Sequence, residues 1–278
     1  MTTKKILKKL NLKPNKFLGQ NFLVDKKILE KIIKAADLKK DDIVLEAGPG
    51  TGFLTEKLAE KAKIILAVEK DRNLVNFLKN KFRDCKNVKI INGDILKILD
   101  TRYEILDTRY KVVANIPYYI TSRFLRIFLE NKQKPKTIVI LVQKEVAKRI
   151  CAQKGQSSIL SLSVQYYGKP QILDFVSKGA FYPKPKVDSA ILKIEVFKKS
   201  LYRVDDEKLL FKVIKAAFSS RRKQLINSLS SGLKISKKET EKILRKCQIS
   251  PHTRPQDLGL NNLKNLYSFI HKTNFEEK

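Results

Sequence analysis

Cysteine, histidine and tryptophan are scarce in this sequence, whose 278 residues include three cysteines, two histidines and no tryptophan. Cys85, Cys151 and Cys247 are far apart, and both histidines, His252 and His271, lie near the C-terminal end. This spacing matches neither a disulfide framework nor a Cys/His zinc site. We therefore predict no metal site, and we expect catalysis without a histidine-based triad.

Long apolar runs are also missing. No run approaches the roughly 20 residues that span a bilayer, and the opening residues MTTKKILKKL lack the apolar stretch of a secretory signal. A hydrophobic content of 42% is nevertheless enough for a packed core, and the length suits about two domains of roughly 100–150 residues each. We expect a soluble, cytoplasmic protein.

Acidic residues are few relative to basic ones. The chain has 59 Lys and Arg against 28 Asp and Glu, a formal net charge of +31. A surface that repels itself this strongly suits a polyanionic partner, and RNA, DNA or an anionic membrane are the candidates.

Five short apolar runs, bounded by turn residues, predict buried parallel strands in the first half of the chain. The runs are Ile43–Leu45, Ile64–Val68, Val88–Ile91, Val112–Ala114 and Ile138–Val142. Helical patterns lie between them, and Asp25 is placed to cap an earlier helix with an apolar face. This alternation predicts an α/β fold with a doubly wound sheet.

After about residue 200 the apolar spacing becomes helical throughout. We predict a first domain over residues 1–199 and a smaller helical domain over residues 200–278. Residues 98–110 contain the segment ILDTRY twice. We interpret this duplication as a longer loop before the fourth strand, since surface loops tolerate insertions.

A glycine-rich turn, EAGPGTG, directly follows the first predicted strand at residues 46–52. Gly48 and Gly50 lie where the backbone turns sharply and a ligand can approach closely, as in nucleotide-binding sites. Gly52 is two residues after Gly50, whereas the dinucleotide fingerprint requires three. The spacing therefore disfavours a nicotinamide cofactor.

Acidic residues at the ends of the next two strands strengthen this interpretation. Glu69 ends the second strand, and Asp94 follows the third. Carboxylates at successive strand ends converge on one crevice. The first suits two ribose hydroxyls, and the second suits an adenine amino group.

The fourth strand ends in Asn115, Ile116, Pro117 and Tyr118. Proline restricts Ile116 to an extended conformation, so the Ile116 carbonyl and the Asn115 side chain can both accept from one exocyclic amine. This turns the lone pair of the amine towards an electrophile without a titrating base. Tyr118 offers a face for a purine to stack on.

These residues carry a resemblance to the small-subunit ribosomal RNA adenine dimethyltransferases, a family of S-adenosylmethionine-dependent methyltransferases. It spans nearly the whole chain through FLGQNFL at 17–23, the glycine turn, Glu69, Gly93 and Asp94, NIPY at 115–118, FYPKPKVDSA at 181–190 and AFSSRRK at 217–223. It implies a Rossmann-like catalytic domain followed by a helical RNA-binding domain. It also implies one more, antiparallel strand ending the sheet, for which Ser189–Val196 alternates suitably.

The resemblance also implies site residues. Positions matching Asn21, Leu23, Gly48, Glu69, Asp94 and Asn115 contact the methyl donor in that family, and Gly50 belongs to the same glycine turn. Tyr118 and Phe181 would sandwich the target adenine. The implied reaction is dimethylation of N6 on two adjacent adenines near the 3′ end of small-subunit ribosomal RNA, during ribosome assembly. The partner would be the immature subunit rather than a membrane, and we expect a monomer.

Three other functions remain open. Dimethylases that act on large-subunit ribosomal RNA and confer antibiotic resistance share most of the motifs. A non-catalytic assembly or transcription factor could keep the fold, although the intact glycine turn and NIPY segment argue against it. A nicotinamide dehydrogenase is the remaining alternative, and the glycine spacing disfavours it.

Basic clusters predict where RNA phosphates bind. Arg221, Arg222 and Lys223 precede a predicted helix of the small domain and are candidate phosphate ligands. Gln224 stands where the family often has threonine. The lysine-rich residues 4–13 predict a disordered or weakly helical arm that touches RNA.

Overall fold

The computed structural model describes residues 2–15, 17–100, 110–202, 204–220 and 222–273. Most of the duplicated segment, residues 101–109, lies outside them, and so does Arg221. The chain forms two compact units, one of Met1–Ala147 with Lys169–Lys198 and one of Lys148–Gly168 with Lys199–Lys278. Residues 148–168 lie within the predicted first domain, 1–199. They group with the second unit because Tyr166 and Tyr167 pack on Phe211.

The first unit is built on a seven-stranded sheet in the order β4-β3-β2-β5-β6-β9-β7. The neighbours from β4 to β6 are parallel, as the sequence predicted. The strands are β2 (Ile43–Ala47), β3 (Ile64–Glu69), β4 (Val88–Asn92), β5 (Lys111–Ala114), β6 (Thr137–Gln143), β7 (Gly168–Val176) and β9 (Ser189–Val196). Two short strands, β1 (Phe22–Leu23) and β8 (Phe181–Tyr182), form a separate antiparallel pair.

The antiparallel strand predicted at Ser189–Val196 is confirmed as β9, which pairs with β6 from Ser189↔Gln143 to Glu195↔Thr137. Its predicted place at the end of the sheet is wrong, because β7 lies beyond it. The sequence pattern did not predict β7, because its residues alternate between half-buried and exposed and include Pro170. Polar residues and proline are typical of an edge strand.

Helices flank this sheet: α1 (Thr3–Lys9), α2 (Lys26–Ala36), α3 (Phe53–Ala59), α4 (Arg72–Lys81), α5 (Thr121–Glu130) and α6 (Lys144–Ile150). The predicted cap of α2 is confirmed, since the Asp25 carboxylate accepts hydrogen bonds from the amides of Lys27 and Ile28. The apolar face of α2 is buried in the main core.

The N-terminal segment differs from the weakly helical arm that its lysines suggested. It forms α1, in which Thr3, Ile6 and Leu7 are buried. Leu7 packs in a small cluster with Phe22 and Leu74. The apolar residues of α1 form one buried face, while its lysines remain exposed. The lysine content alone therefore did not indicate that this helix packs against the rest of the unit.

The second unit is helical, as the sequence predicted. Its helices are α7 (Ile159–Tyr167), α8 (Glu207–Ala217), α9 (Leu225–Leu233), α10 (Lys237–Lys246) and α11 (Leu260–Lys272). Helix α8 packs against α9 and α11, and α10 packs against both of these helices. Within the described residues of the two units, every helix is too short or too polar to cross a membrane.

Candidate active site

A cavity of about 410 Å³ lies in the first unit, where the carboxyl ends of β2, β3, β4 and β5 meet. Its volume is within the range of small-molecule sites. The predicted residues that line it are Asn21, Gly48, Gly50, Glu69, Asp94 and Asn115 to Tyr118. Within the described ranges, acidic, histidine and cysteine side chains form no cluster able to hold a metal.

The glycine turn forms one wall of the cavity. Gly50 has a φ of 58°, and a Cβ there would lie 2.8 Å from the Phe22 ring. Gly52 has a φ of 79°, and a Cβ there would lie 2.9 Å from Leu78 and Phe82. Side chains at either position would strain the backbone and clash with these neighbouring side chains. The turn therefore depends on glycine for its shape.

Glu69 is buried at the end of β3 and holds the glycine turn against the next helix. One carboxylate oxygen accepts from the Gly50 amide at 3.1 Å, and the other accepts from the amides of Lys70 and Asp71 at 2.8 and 2.9 Å. Burial raises the pKa of this carboxyl despite these three donors. A carboxylate can accept about four hydrogen bonds, so capacity remains for a ligand hydroxyl.

Asp94 lies across the cavity after β4. Its carboxylate accepts from the Leu96 amide and pairs with Lys70 at 3.0 Å. Burial works against its charge, but the Leu96 amide and Lys70 outweigh burial and lower the pKa. Asp94 therefore stays ionised, as an acceptor for an amino group must.

Asn115 and Asn21 are joined across the cavity. The Asn115 side-chain nitrogen donates to the Asn21 carbonyl at 2.9 Å. This bond fixes the amide orientation and leaves the Asn115 side-chain oxygen as an acceptor. The adjacent Ile116 carbonyl also has no hydrogen-bond donor among the described residues. The structure thus brings together the two acceptors that the sequence predicted.

Tyr118 is half-buried in the cavity wall, and its hydroxyl forms a 2.6 Å hydrogen bond with the Ser189 hydroxyl. Ser189 is fully buried at the start of β9. Burial raises the pKa of Tyr118, so its hydroxyl stays protonated at neutral pH. Ser189 fixes the Tyr118 ring, a role that only the pairing of β9 with β6 reveals.

Phe181 and Leu23 do not line this cavity. They face each other in the β1–β8 pair, and both are buried in the main core. Leu23 instead lines two neighbouring cavities, the smaller of which also contacts Gly48, Gly50 and Asn115. The geometry therefore gives Phe181 a packing role, whereas Tyr118 is one of the aromatic residues that line the cavity.

The predicted phosphate ligands belong to the second unit. Arg222 and Lys223 are exposed in the turn that precedes α9. Arg221 lies outside the described residues.

Glu46, in β2 beneath the glycine turn, was not singled out by the sequence. It is almost fully buried, and neither carboxylate oxygen has a hydrogen-bond partner among the described residues. Burial, with a smaller contribution from the nearby Glu69 carboxylate, raises the pKa of Glu46 to about 8. Glu46 is therefore mostly protonated at neutral pH.

Comparison with known proteins places these features in a family. Residues 11–272 match the family described as ribosomal RNA adenine dimethylase. A relative named ribosomal RNA small subunit methyltransferase A, from Dehalococcoides mccartyi, is 44% identical over 95% of this chain and 90% of its own length. A relative of the same name from Clostridium botulinum is 40% identical over 98% of this chain and 99% of its own.

Solved structures agree with this match. A dimethyladenosine transferase from Plasmodium falciparum is 28% identical and covers 90% of this chain and 98% of its own, with a TM-score of 0.78. A 23S rRNA methyltransferase, ErmE, is 25% identical and covers 90% of this chain and 100% of its own, with a TM-score of 0.70.

Proposed function

The chain belongs to the ribosomal RNA adenine dimethylase family, and from this premise we propose that it dimethylates N6 of two adjacent adenines near the 3′ end of small-subunit ribosomal RNA. The methyl donor is S-adenosylmethionine. The observation that carries the proposal is the single cavity lined by Glu69, Asp94 and the Asn115–Tyr118 segment. The names of the curated relatives support the small subunit as the substrate.

The residues present fit the donor. When bound, S-adenosylmethionine supplies an electrophilic methyl group on a positively charged sulfur. The Glu69 carboxylate has acceptor capacity left for a ribose hydroxyl, and the ionised Asp94 can accept from the adenine amino group. Gly48, on the cavity wall, has a φ of 69°, a conformation that residues other than glycine rarely adopt.

Asn115, Ile116 and Tyr118 handle the methyl acceptor. The Asn115 side-chain oxygen and the Ile116 carbonyl accept hydrogen bonds from the two N–H groups of the adenine amine, which aims its lone pair at the methyl group. Tyr118, fixed through Ser189, supports the base by stacking. The proton leaves after transfer, when the methylated nitrogen is cationic and strongly acidic, so no titrating base is needed beforehand.

The proposal includes the setting of the reaction. The enzyme acts as a monomer in the cytoplasm on the immature small subunit, and the basic second unit contributes to RNA binding. A large-subunit dimethylase is the second candidate, favoured only by the likeness to ErmE at 25% identity. The small-subunit relatives are closer in sequence, at 44%.

Methyl transfer to separate unmethylated small and large ribosomal subunits tests the proposal. Mass spectrometry should find dimethyladenosine at two adjacent positions of the small-subunit RNA and none in the large subunit. Modification of the large subunit alone would favour the second candidate. An absence of transfer to either would favour a non-catalytic factor.

Asn115→Ala should reduce turnover far more than donor affinity, because the amide acts mainly on the transition state. Single-turnover methylation and donor calorimetry give the two values. Asn80→Ala, an exposed asparagine on α4, is the matched control. Equal turnover of Asn115→Ala and the parent enzyme would contradict the role of this side chain.

A further inference from the structure

Tyr119 and Arg123 lie at the rim of the cavity and have no part in the mechanism above. Tyr119 follows Tyr118 in a short turn, and 69% of its surface is exposed although it lines the cavity. Arg123 lines the same cavity from the first turn of α5 and is also exposed. Among the residues that the structure describes, no carboxylate pairs with the Arg123 guanidinium. An aromatic ring and a cation without a carboxylate partner thus line the same cavity rim, four residues apart in the sequence.

The Tyr119 ring is held in place rather than free. Gly19 has a φ of 64°, and a Cβ there would lie 3.1 Å from Tyr119 Cε1 and 3.0 Å from Pro117 Cβ. The Gly19 backbone therefore packs against one edge of the ring, while the rest of the ring faces solvent. Gly19 is itself fixed, because its carbonyl accepts from the Asn21 side chain. This contact limits the orientations of the ring, which reduces the entropy lost when a base stacks on it.

The same turn presents a second exposed aromatic residue. Phe17 is 96% exposed, and its backbone amide donates to the Asn15 side chain. Lys70 also lies on the cavity wall, but its ammonium is paired with Asp94 at 3.0 Å, so Arg123 rather than Lys70 is available to a phosphate. Exposed rings interleaved with cations are typical of surfaces that bind single-stranded nucleic acid, because bases stack on the rings while cations contact phosphates.

We propose that Tyr119 stacks on the nucleotide next to the adenine being methylated, and that Arg123 binds the phosphate between the two. The inference rests on the proposed function and adds to it a binding subsite for the nucleotide next to the target adenine. Because the two target adenines are adjacent, the neighbouring base on one side is the other target. When that neighbour is the other target, Tyr119 holds one adenine at the rim while the second occupies the cavity.

The first test compares Tyr119→Ala with Tyr119→Phe on unmethylated small ribosomal subunits. Loss of the ring should raise the KM for subunits about 5- to 100-fold, since stacking on one aromatic ring is worth roughly 1–3 kcal/mol per base. Tyr119→Phe keeps the ring and should stay within about twofold. Phe175→Ala removes another exposed aromatic of the same unit, on β7, and is the matched control. Donor affinity by calorimetry should change little in all three variants.

A second test identifies the base. Subunits reassembled with an abasic site next to the target adenine should raise the KM of the parent enzyme as much as Tyr119→Ala does. With that substrate, Tyr119→Ala should cause no further loss. A purely structural role for Tyr119 would instead multiply the two losses, and that result would overturn the proposal.

Arg123 is tested by salt dependence. Arg123→Ala should reduce the slope of log affinity against log salt concentration by about one, as expected for one lost phosphate contact, and Arg123→Lys should retain it. An unchanged slope would remove Arg123 from the subsite. If the parent enzyme dimethylates small subunits but Tyr119→Ala leaves KM unchanged, the inference fails and the proposed function stands. If the parent enzyme does not methylate them, both fail.

Discussion

At the scale of single residues, Glu69 links the cavity to the fold, because its carboxylate accepts hydrogen bonds from Gly50 in the glycine turn and from the amides of Lys70 and Asp71 before α4. Glu69→Ala should weaken donor binding by roughly 1.5–3 kcal/mol through loss of a charge-assisted acceptor. Calorimetric titration measures this loss. Glu60→Ala, an exposed glutamate at the end of α3, is the control. Unchanged affinity in Glu69→Ala would exclude Glu69 from the donor site.

Glu46 affects stability as a function of pH. Burial raises its folded-state pKa from the ordinary 4.5 to about 8. Between these two values the unfolded chain ionises first, so Glu46 lowers the free energy of unfolding by about 1.4 kcal/mol for each pH unit of increase. This cost is absent below about pH 4.5 and complete above about pH 8.

Glu46→Gln removes the ionisation and keeps the shape of the side chain. The variant should therefore gain stability over the parent protein as pH rises through that window, and the gain should level off above it. Urea unfolding from pH 5 to pH 9 measures the difference, with Glu60→Gln as an exposed control. A difference that does not vary with pH would mean that Glu46 is charged throughout.

At the scale of elements, Lys111 joins three parts of the first unit. Its ammonium lies 2.8 Å from the Asp42 carboxylate and donates to the carbonyls of Ala36 and Asp37 at the end of α2. Both charged side chains are buried. Asp42 precedes β2 and Lys111 begins β5, so the pair connects two neighbouring strands to a helix end.

Lys111→Met should lower the free energy of unfolding by about 3–5 kcal/mol, because it leaves the buried Asp42 carboxylate without its cation. Adding Asp42→Asn to this variant should recover part of the loss. Lys136 lies 3.8 Å from the same carboxylate but is largely exposed, so Lys136→Met should cost less than about 1 kcal/mol. Denaturant titration of the parent protein and these three variants measures the free energies of unfolding. A small effect of Lys111→Met would contradict the stabilising role of the buried ion pair.

Local sequence patterns were sufficient to predict features that depend on a single strand or turn. The parallel strands were predictable because each is a short apolar run, and the glycine turn because its spacing is fixed by the backbone. The edge strand β7 was not predictable, since its polar alternation is equally typical of a loop. The burial of Phe181 and the Tyr118–Ser189 bond depend on pairings between strands distant in sequence. No local pattern specifies such pairings.

At the scale of the whole molecule, the net charge of +31 predicts that RNA binding depends on salt concentration. Neutralising Arg221, Arg222 and Lys223 together should weaken RNA binding and reduce its salt slope, because each phosphate contact releases counterions. Donor affinity should not change. Neutralising three exposed lysines of α10, namely Lys238, Lys242 and Lys246, alters the charge equally and is the control. Equal slopes for the two triple variants would show that only total charge matters.

The order in which the chain leaves the ribosome affects how the first unit folds. Its sheet is interrupted by residues 148–168, and β9 reaches β6 only after residue 189 has been synthesised. Until then β6 is an unpaired edge of apolar residues, Ile138 to Val142, all buried in the finished protein. Such an edge invites pairing between nascent chains. Translation that stalls between residues 150 and 189 should therefore yield fragments that aggregate. Aggregation through the edge of β6 should end once β9 has paired with β6.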